Sequence, residues 1–187
     1  LVGSEMCIRD RCDDTLKIVF SLIENSTTPL VLDADALNCV AKQPEILLRK
    51  KVPIIITPHP GEMSRLTGLA TPLVNAERER VALDFAQKYG VVTVLKGAGT
   101  VIASPNGKVL VNPTGNSGMA TGGSGDVLAG MTASILAQGA SAFSSAAAAV
   151  YLHGFAGDIA AEKCGKISML PTDLINCIPL AYKRCGF

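Results

Sequence analysis

The sequence predicts an α/β layered domain built on a mainly parallel sheet. Three observations predict it: short, wholly apolar runs recur along the chain, helical stretches separate them, and polar or glycine-rich sequence stands at the carboxyl end of each run. A strand buried on both faces reads as a continuous apolar run. Parallel neighbours of that kind need helical crossovers between them.

From a cap at Asp13 or Asp14, Leu16, Val19, Phe20 and Ile23 recur at helical spacing up to the Asn25-Ser26-Thr27 break. Leu30-Val31-Leu32 then reads as a buried strand ending in Asp33-Ala34-Asp35-Ala36-Leu37-Asn38, and helical sequence continues to about Arg49 with an interruption at Pro44. The next strand, Val52 to Ile56, runs into Thr57-Pro58-His59-Pro60-Gly61-Glu62. Helical patterns cover Glu62 to Leu66 and Asn75 to Tyr89, the second with Val81, Ala82, Phe85, Ala86 and Tyr89 on one face and Gly90 as its stop. A third strand, Val91 to Leu95, leads through Lys96-Gly97-Ala98-Gly99-Thr100 to Val101-Ile102-Ala103. A turn at Pro105-Asn106-Gly107 into Lys108 to Val111 makes an antiparallel hairpin at the sheet edge. After a glycine-rich stretch, helices are expected over Gly123 to Gln138, Ala142 to Lys163 and Pro171 to Arg184.

At 187 residues, with 48% of them hydrophobic, the chain is long enough to bury the core of one domain. A net charge of +1 and the absence of Trp argue against a nucleic-acid partner and for a small molecule. The six cysteines form no C-x-x-C pair and only two His occur, so neither zinc spacing nor a disulfide framework is visible and a reducing, cytoplasmic setting is expected. No Asp, Glu, Lys or Arg lies between Val127 and Gly157, but Gln138, Gly139 and several serines break this run, so it reads as two buried helices and not a membrane span. Residues 1–12 carry no periodicity and read as a non-native or disordered leader, which leaves the domain at residues 13–187.

The chemistry gathers in the stretch from Asn112 to Gly130, which holds six glycines and ends in Asp126 followed by an apolar run. A glycine loop feeding a helix start leaves N–H groups free at the positive end of the dipole. An anion hole over Gly123, Ser124 and Gly125 follows, with Asp126 placed to take a proton from an attacking hydroxyl. The bland alternative is a plain loop with a capping aspartate. In open α/β sheets ligands sit at the carboxyl ends of strands, and three such ends here are polar, which favours a phosphate-handling site.

These segments, V-L-D-A-D-A-L-N (31–38), I-T-P-H-P-G-E (56–62), V-L-K-G-A-G-T (94–100) and G-N-S-G-M-A-T-G-G-S-G-D-V-L-A-G (115–130), resemble the ADP/ATP-dependent NAD(P)H-hydrate dehydratases. The resemblance implies a ribokinase-like three-layer sandwich, incomplete here at its N-terminal side because the family's upstream strands and G-P-G-L-G segment do not occur. It implies a metabolite-repair lyase that phosphorylates the ring hydroxyl of (S)-hydrated NADH or NADPH and then eliminates phosphate. It also implies Mg²⁺ and a nucleotide as cofactors, ADP in preference to ATP because G-S-G-D is nearer the bacterial loop, and a homo-oligomer, by analogy a tetramer. By the same resemblance Asp126 is the catalytic, substrate-binding aspartate and His59 a substrate contact. Lys96, Gly97, Ala98, Gly99, Thr100 and Gly125 bind the nucleotide, and Glu62 helps to place Mg²⁺ through water.

Plainer readings stand beside these. His59 also reads as a turn residue, Lys96 equally as a solvated charge, Asp33, Asp35 and Asn38 as caps or site lining, and His153 as a satisfied core residue. Two other functions compete: a ribokinase-like kinase of a small molecule or vitamin precursor, against which T-P-H-P-G-E speaks, and an inactive nucleotide-binding fragment whose Ala146–Ala149 face packs against another subunit.

Overall fold

The apolar runs become the strands of a five-stranded sheet in the order β1-β2-β3-β4-β5. A computed structural model describes residues 13–186; the leader expected over residues 1–12 lies outside them. β1 (Leu30–Leu32), β2 (Ile54–Ile56) and β3 (Val92–Leu95) run parallel, with Leu32 opposite Ile56 and Ile55 opposite Val92. β4 (Val101–Ala103) and β5 (Val109–Val111) then return antiparallel as the expected hairpin, with Leu95 opposite Val101 and Ile102 opposite Leu110. Among the described residues β1 is an outer strand, with Leu30 and Val31 half-buried.

Strand alternation divides the core in two. Ile54, Ile56, Leu95, Val101 and Ala103 face one cluster, which takes in Ile23 of α1 (Asp13–Asn25), Leu37 and Val40 of α2 (Asp35–Lys42), and Met63 and Leu66 of α3 (Pro60–Thr67). The same cluster takes in Val74 of α4 (Thr71–Ala76) and Val81, Ala82 and Phe85 of α5 (Arg78–Tyr89). Ile55, Val92, Val94 and Ile102 face the other, closed by α6 (Ser124–Ala137), α7 (Ala142–Cys164) and α8 (Pro171–Arg184). Both crossovers between the parallel strands therefore supply one layer, and the C-terminal helices supply the other. This is the three-layer arrangement expected, and it explains why the central strands carry no polar face.

Three details differ from the periodic reading. A 3-10 segment, Pro44–Arg49, replaces the continuation of α2. The helix expected from Asn75 is two helices: Pro72 starts α4 earlier, and Glu77, at φ −127° and ψ 43°, breaks the path before α5 begins at Arg78. Of the Ala146–Ala149 face expected to meet another subunit, Ala147 and Ala148 stay partly exposed, but Ala146 and Ala149 do not point outward. They are fully buried in this chain's own second cluster, because small side chains let α7 lie close against its neighbours. No helix among the described residues is long and apolar enough to cross a membrane.

Candidate active site

Backbone hydrogen bonds stitch the polar strand ends together in order. The Thr57 amide donates to the Leu32 carbonyl at 3.1 Å, the Lys96 amide to Pro58 at 2.8 Å, and the Asn112 amide to Thr100 at 2.9 Å. The four segments singled out in the sequence thus lie side by side along one edge of the sheet.

At the end of β1 the chain turns through Ala34, whose φ of 52° and ψ of −120° make it the only non-glycine with positive φ among the described residues. Strain of this kind persists where surrounding contacts over-determine it. Here it separates two acids. Asp35 opens α2 and accepts from Asn38 Nδ2 at 2.9 Å, and Asn38 Oδ1 accepts from Arg65 Nε at 2.9 Å, so these two side chains tie α2 to α3. Asp33 points instead to the site, where its Oδ1 stands 2.6 Å from Lys96 Nζ. Lys96 is also 3.9 Å from Glu62 Oε2, and all three side chains are less than one-fifth exposed (19%, 13% and 7% for Lys96, Asp33 and Glu62).

His59 caps α3. Its Nδ1 accepts from the Gly61 and Glu62 amides at 3.0 and 3.4 Å, and Glu62 Oε2 accepts in return from the His59 amide at 2.8 Å. Nδ1 therefore carries no proton, and the Nε2–H faces Glu62 Oε1 at 3.5 Å. The ring is half-exposed, so its apolar edge is open to a ligand while its nitrogens hold the helix start. No group of three or more His, Cys, Asp or Glu able to hold a metal occurs among the described residues. Glu62, with one oxygen committed to the cap, fits an indirect role toward a cation and not a direct one.

The glycine stretch is laid along α7. Asp158 accepts from the Gly115 amide at 2.8 Å and from Asn116 Nδ2 at 2.9 Å, and Thr114 Oγ1 donates to the Tyr151 carbonyl at 2.9 Å. Gly154 and Gly157 make this approach possible, since a Cβ on either would strike Thr114 or Met119. The sequence reading missed Asp158, although its signal was present: it is the first charge after the charge-free stretch, one and four residues after two helical glycines.

The loop ends at Gly123, in the left-handed region with φ 95°, and α6 starts at Ser124. The Ser124 amide is taken by the Thr121 carbonyl at 3.3 Å, whereas the Gly125 and Asp126 amides have no partner among the described residues. Of the anion hole expected over Gly123, Ser124 and Gly125, the Ser124 amide is thus occupied, while the Gly123 amide, like those of Gly125 and Asp126, has no partner among the described residues. A Cβ on Gly125 would lie 3.5 Å from Lys96 Nζ, so the ammonium stands beside these free amides, and Asp126 is exposed in the same first turn. Beneath it, His153 of α7 is buried and its Nε2 lies 2.9 Å from the Ser124 carbonyl, to which it donates. Burial pushes its pKa down to about 4, with the nearby Lys96 charge adding to the effect and the Ser124 bond opposing it. His153 is the satisfied core residue expected, and it fixes the start of α6.

Lys96 to Thr100, the segment expected to meet the nucleotide, forms the β3–β4 turn, closed by Thr100 Oγ1 donating to the Gly97 carbonyl at 3.0 Å. Its backbone needs glycine at φ 146° (Gly97) and 62° (Gly99). Ala98 and Gly99 border an open cavity of about 530 Å³.

Fold and site define a ribokinase-like α/β protein with a cation and free amides converging at the start of one helix. A ribokinase-like superfamily protein from Enterococcus faecalis has the same fold: TM-score 0.75, 29% identity, over 98% of this chain and 60% of that one. The chain belongs to the NAD(P)H-hydrate dehydratase family, whose model matches residues 11–180. It is 45% identical over 170 residues to the bifunctional NAD(P)H-hydrate repair enzyme Nnr of Moorella thermoacetica, which covers 91% of this chain and 32% of the relative. The crystal structure of the ADP/ATP-dependent NAD(P)H-hydrate dehydratase of Bacillus subtilis, co-crystallized with ATP/Mg²⁺, superposes at TM-score 0.76 with 37% identity, over 83% of this chain and 55% of that one. The chain thus spans 32% to 60% of the length of these relatives.

Proposed function

We propose that the chain carries the nucleotide-binding and catalytic corner of an ADP-dependent NAD(P)H-hydrate dehydratase, with ATP as the alternative donor. The observation that carries this reading is the position of Lys96 against Gly125, immediately before Asp126, at the free amides of α6. Phosphoryl transfer asks for positioning and charge neutralisation, and this arrangement supplies both. Lys96 and the Gly125 and Asp126 amides hold the terminal phosphoryl group. Asp126 takes the proton from the ring hydroxyl of (S)-hydrated NADH or NADPH as its oxygen bonds to phosphorus and the bridging P–O bond breaks, releasing AMP from ADP. The ring C–O bond then breaks, phosphate leaves, and the neighbouring ring carbon gives up a proton to restore the double bond. His59 borders the hydrated ring. Mg²⁺ supplies further neutralisation of the phosphates, and Glu62 is the residue that would orient its water.

The test is to incubate the protein with hydrated NADH, Mg²⁺ and either ADP or ATP and follow the recovery of NADH absorbance. Recovery that requires the nucleotide is the expected result. Phosphorylation of a vitamin-precursor alcohol without recovery would replace this reading by that of a small-molecule kinase, and nucleotide binding with neither reaction would leave a binding module.

A further inference from the structure

Arg78, the first residue of α5, reaches across to the β3–β4 turn, where its Nη2 donates to the Leu95 carbonyl at 2.9 Å. Its guanidinium also occupies the space a side chain on Gly97 would take: a Cβ there would lie 2.9 Å from Nη1 and 3.0 Å from Nη2. Arg78 therefore touches the backbone on both sides of Lys96. The break at Glu77 is what lets the chain present it, since an unbroken helix would carry residue 78 along the axis of α4.

The electrostatics of this contact are unusual. Arg78 forms no ion pair among the described residues, its Nε is buried without a hydrogen-bond partner, and burial lowers its pKa. Of the two acids that flank it and line the same cavity, Glu77 is paired with Arg80, and Glu79 forms no ion pair with it among the described residues. Arg78 is half-buried, and a guanidinium with a buried, unpaired Nε and no carboxylate partner is a costly choice for the fold alone. Arg78 also lines the cavity of about 530 Å³ shared with Ala98, Gly99 and Val111. Fold stability alone does not account for a guanidinium here, whereas an anionic ligand on the turn does.

We propose that Arg78 is a positioning residue for nucleotide binding: it grips the Leu95 carbonyl and backs Gly97, so that Lys96 and the following amides keep their direction toward the phosphates. This rests on the nucleotide reading above. The phosphates of the nucleotide, and not a protein carboxylate, balance its charge.

The experiment compares the wild-type protein with Arg78→Met, which keeps the stem, and Arg78→Lys, which keeps the charge but not the planar fork. ADP and ATP affinity is measured by calorimetry, and hydrogen exchange and Tm are measured without nucleotide. The expected result is an affinity loss on the order of tenfold for Arg78→Met and a smaller one for Arg78→Lys. Tm should stay unchanged or rise, and faster exchange should be confined to residues 96–100. Unchanged affinity in both variants, or a loss accompanied by a fall in Tm and faster exchange throughout, overturns the proposal. Failure of the wild-type protein to bind either nucleotide overturns the nucleotide reading itself, and local exchange in the free variants then decides whether Arg78 holds the turn.

Discussion

Lys96 Nζ and Asp33 Oδ1 lie 2.6 Å apart, joining the carboxyl ends of the first and third strands across 63 residues of sequence. The pair keeps an ammonium on a flexible stem directed at the start of α6, where the Gly125 backbone is close enough that a Cβ would sit 3.5 Å away. Its partners make the lysine harder to lose than the aspartate.

Replacing Lys96 with Met leaves the Asp33 and Glu62 carboxylates together without a cation in a mostly buried site. The expected cost is about 2–4 kcal/mol of stability, together with loss of nucleotide affinity. Asp33→Asn leaves Lys96 with Glu62 and should cost about 1 kcal/mol. Denaturant unfolding measures both. Equal costs would show that Glu62, at 3.9 Å, takes no part.

Asp126→Asn keeps the shape of the first turn of α6 but removes the carboxylate proposed as proton acceptor. Turnover should fall roughly 10²–10⁴-fold while ADP affinity is kept. Calorimetry and the absorbance assay together separate the two effects, and surviving turnover would move the base to another group.

His153 makes stability depend on pH. Its folded pKa of about 4 lies below the ordinary 6.5, so the unfolded chain binds more protons between these values. Its contribution is complete above pH 6.5 and is lost as pH falls toward 4, by roughly 3 kcal/mol in all. His153→Gln, which can still donate to the Ser124 carbonyl, should flatten this slope in unfolding curves taken from pH 7 to 4. A slope that persists would assign the effect to other groups.

Gly154 and Gly157 should differ as sites for alanine. A Cβ at 154 meets the Thr114 backbone 2.8 Å away at its carbonyl carbon, whereas one at 157 meets the Met119 side chain, which can swing aside. Gly154→Ala is therefore expected to cost about 3 kcal/mol, and Gly157→Ala about 1 kcal/mol or less, because helix propensity offsets part of it. A thermal-unfolding comparison distinguishes them; the reverse order would mean that the loop over residues 112–119 is not seated by α7 as described.

Much of the frame was legible without coordinates. Continuous apolar runs marked β1, β2 and β3, the Pro105-Asn106-Gly107 turn marked the hairpin, and the glycine stretch before Asp126 marked the start of α6. These signals are local: burial on both faces, a turn's backbone demands and a helix start each leave their pattern within a few residues. The break at Glu77 left no such pattern, since the apolar period runs on from Val74 through Val81 to Phe85.

What the sequence determined by itself was the inventory of polar strand ends and the glycine-led start of α6. Only the tertiary structure decided which charges meet. Strand order sets Asp33 beside Lys96, the packing of α7 brings Asp158 to the loop and His153 to Ser124, and the Glu77 break brings Arg78 under Gly97. Apolar periodicity reports that a residue is buried, but an ion pair or a backbone contact depends on which elements lie adjacent, and that is fixed by topology and not by spacing along the chain.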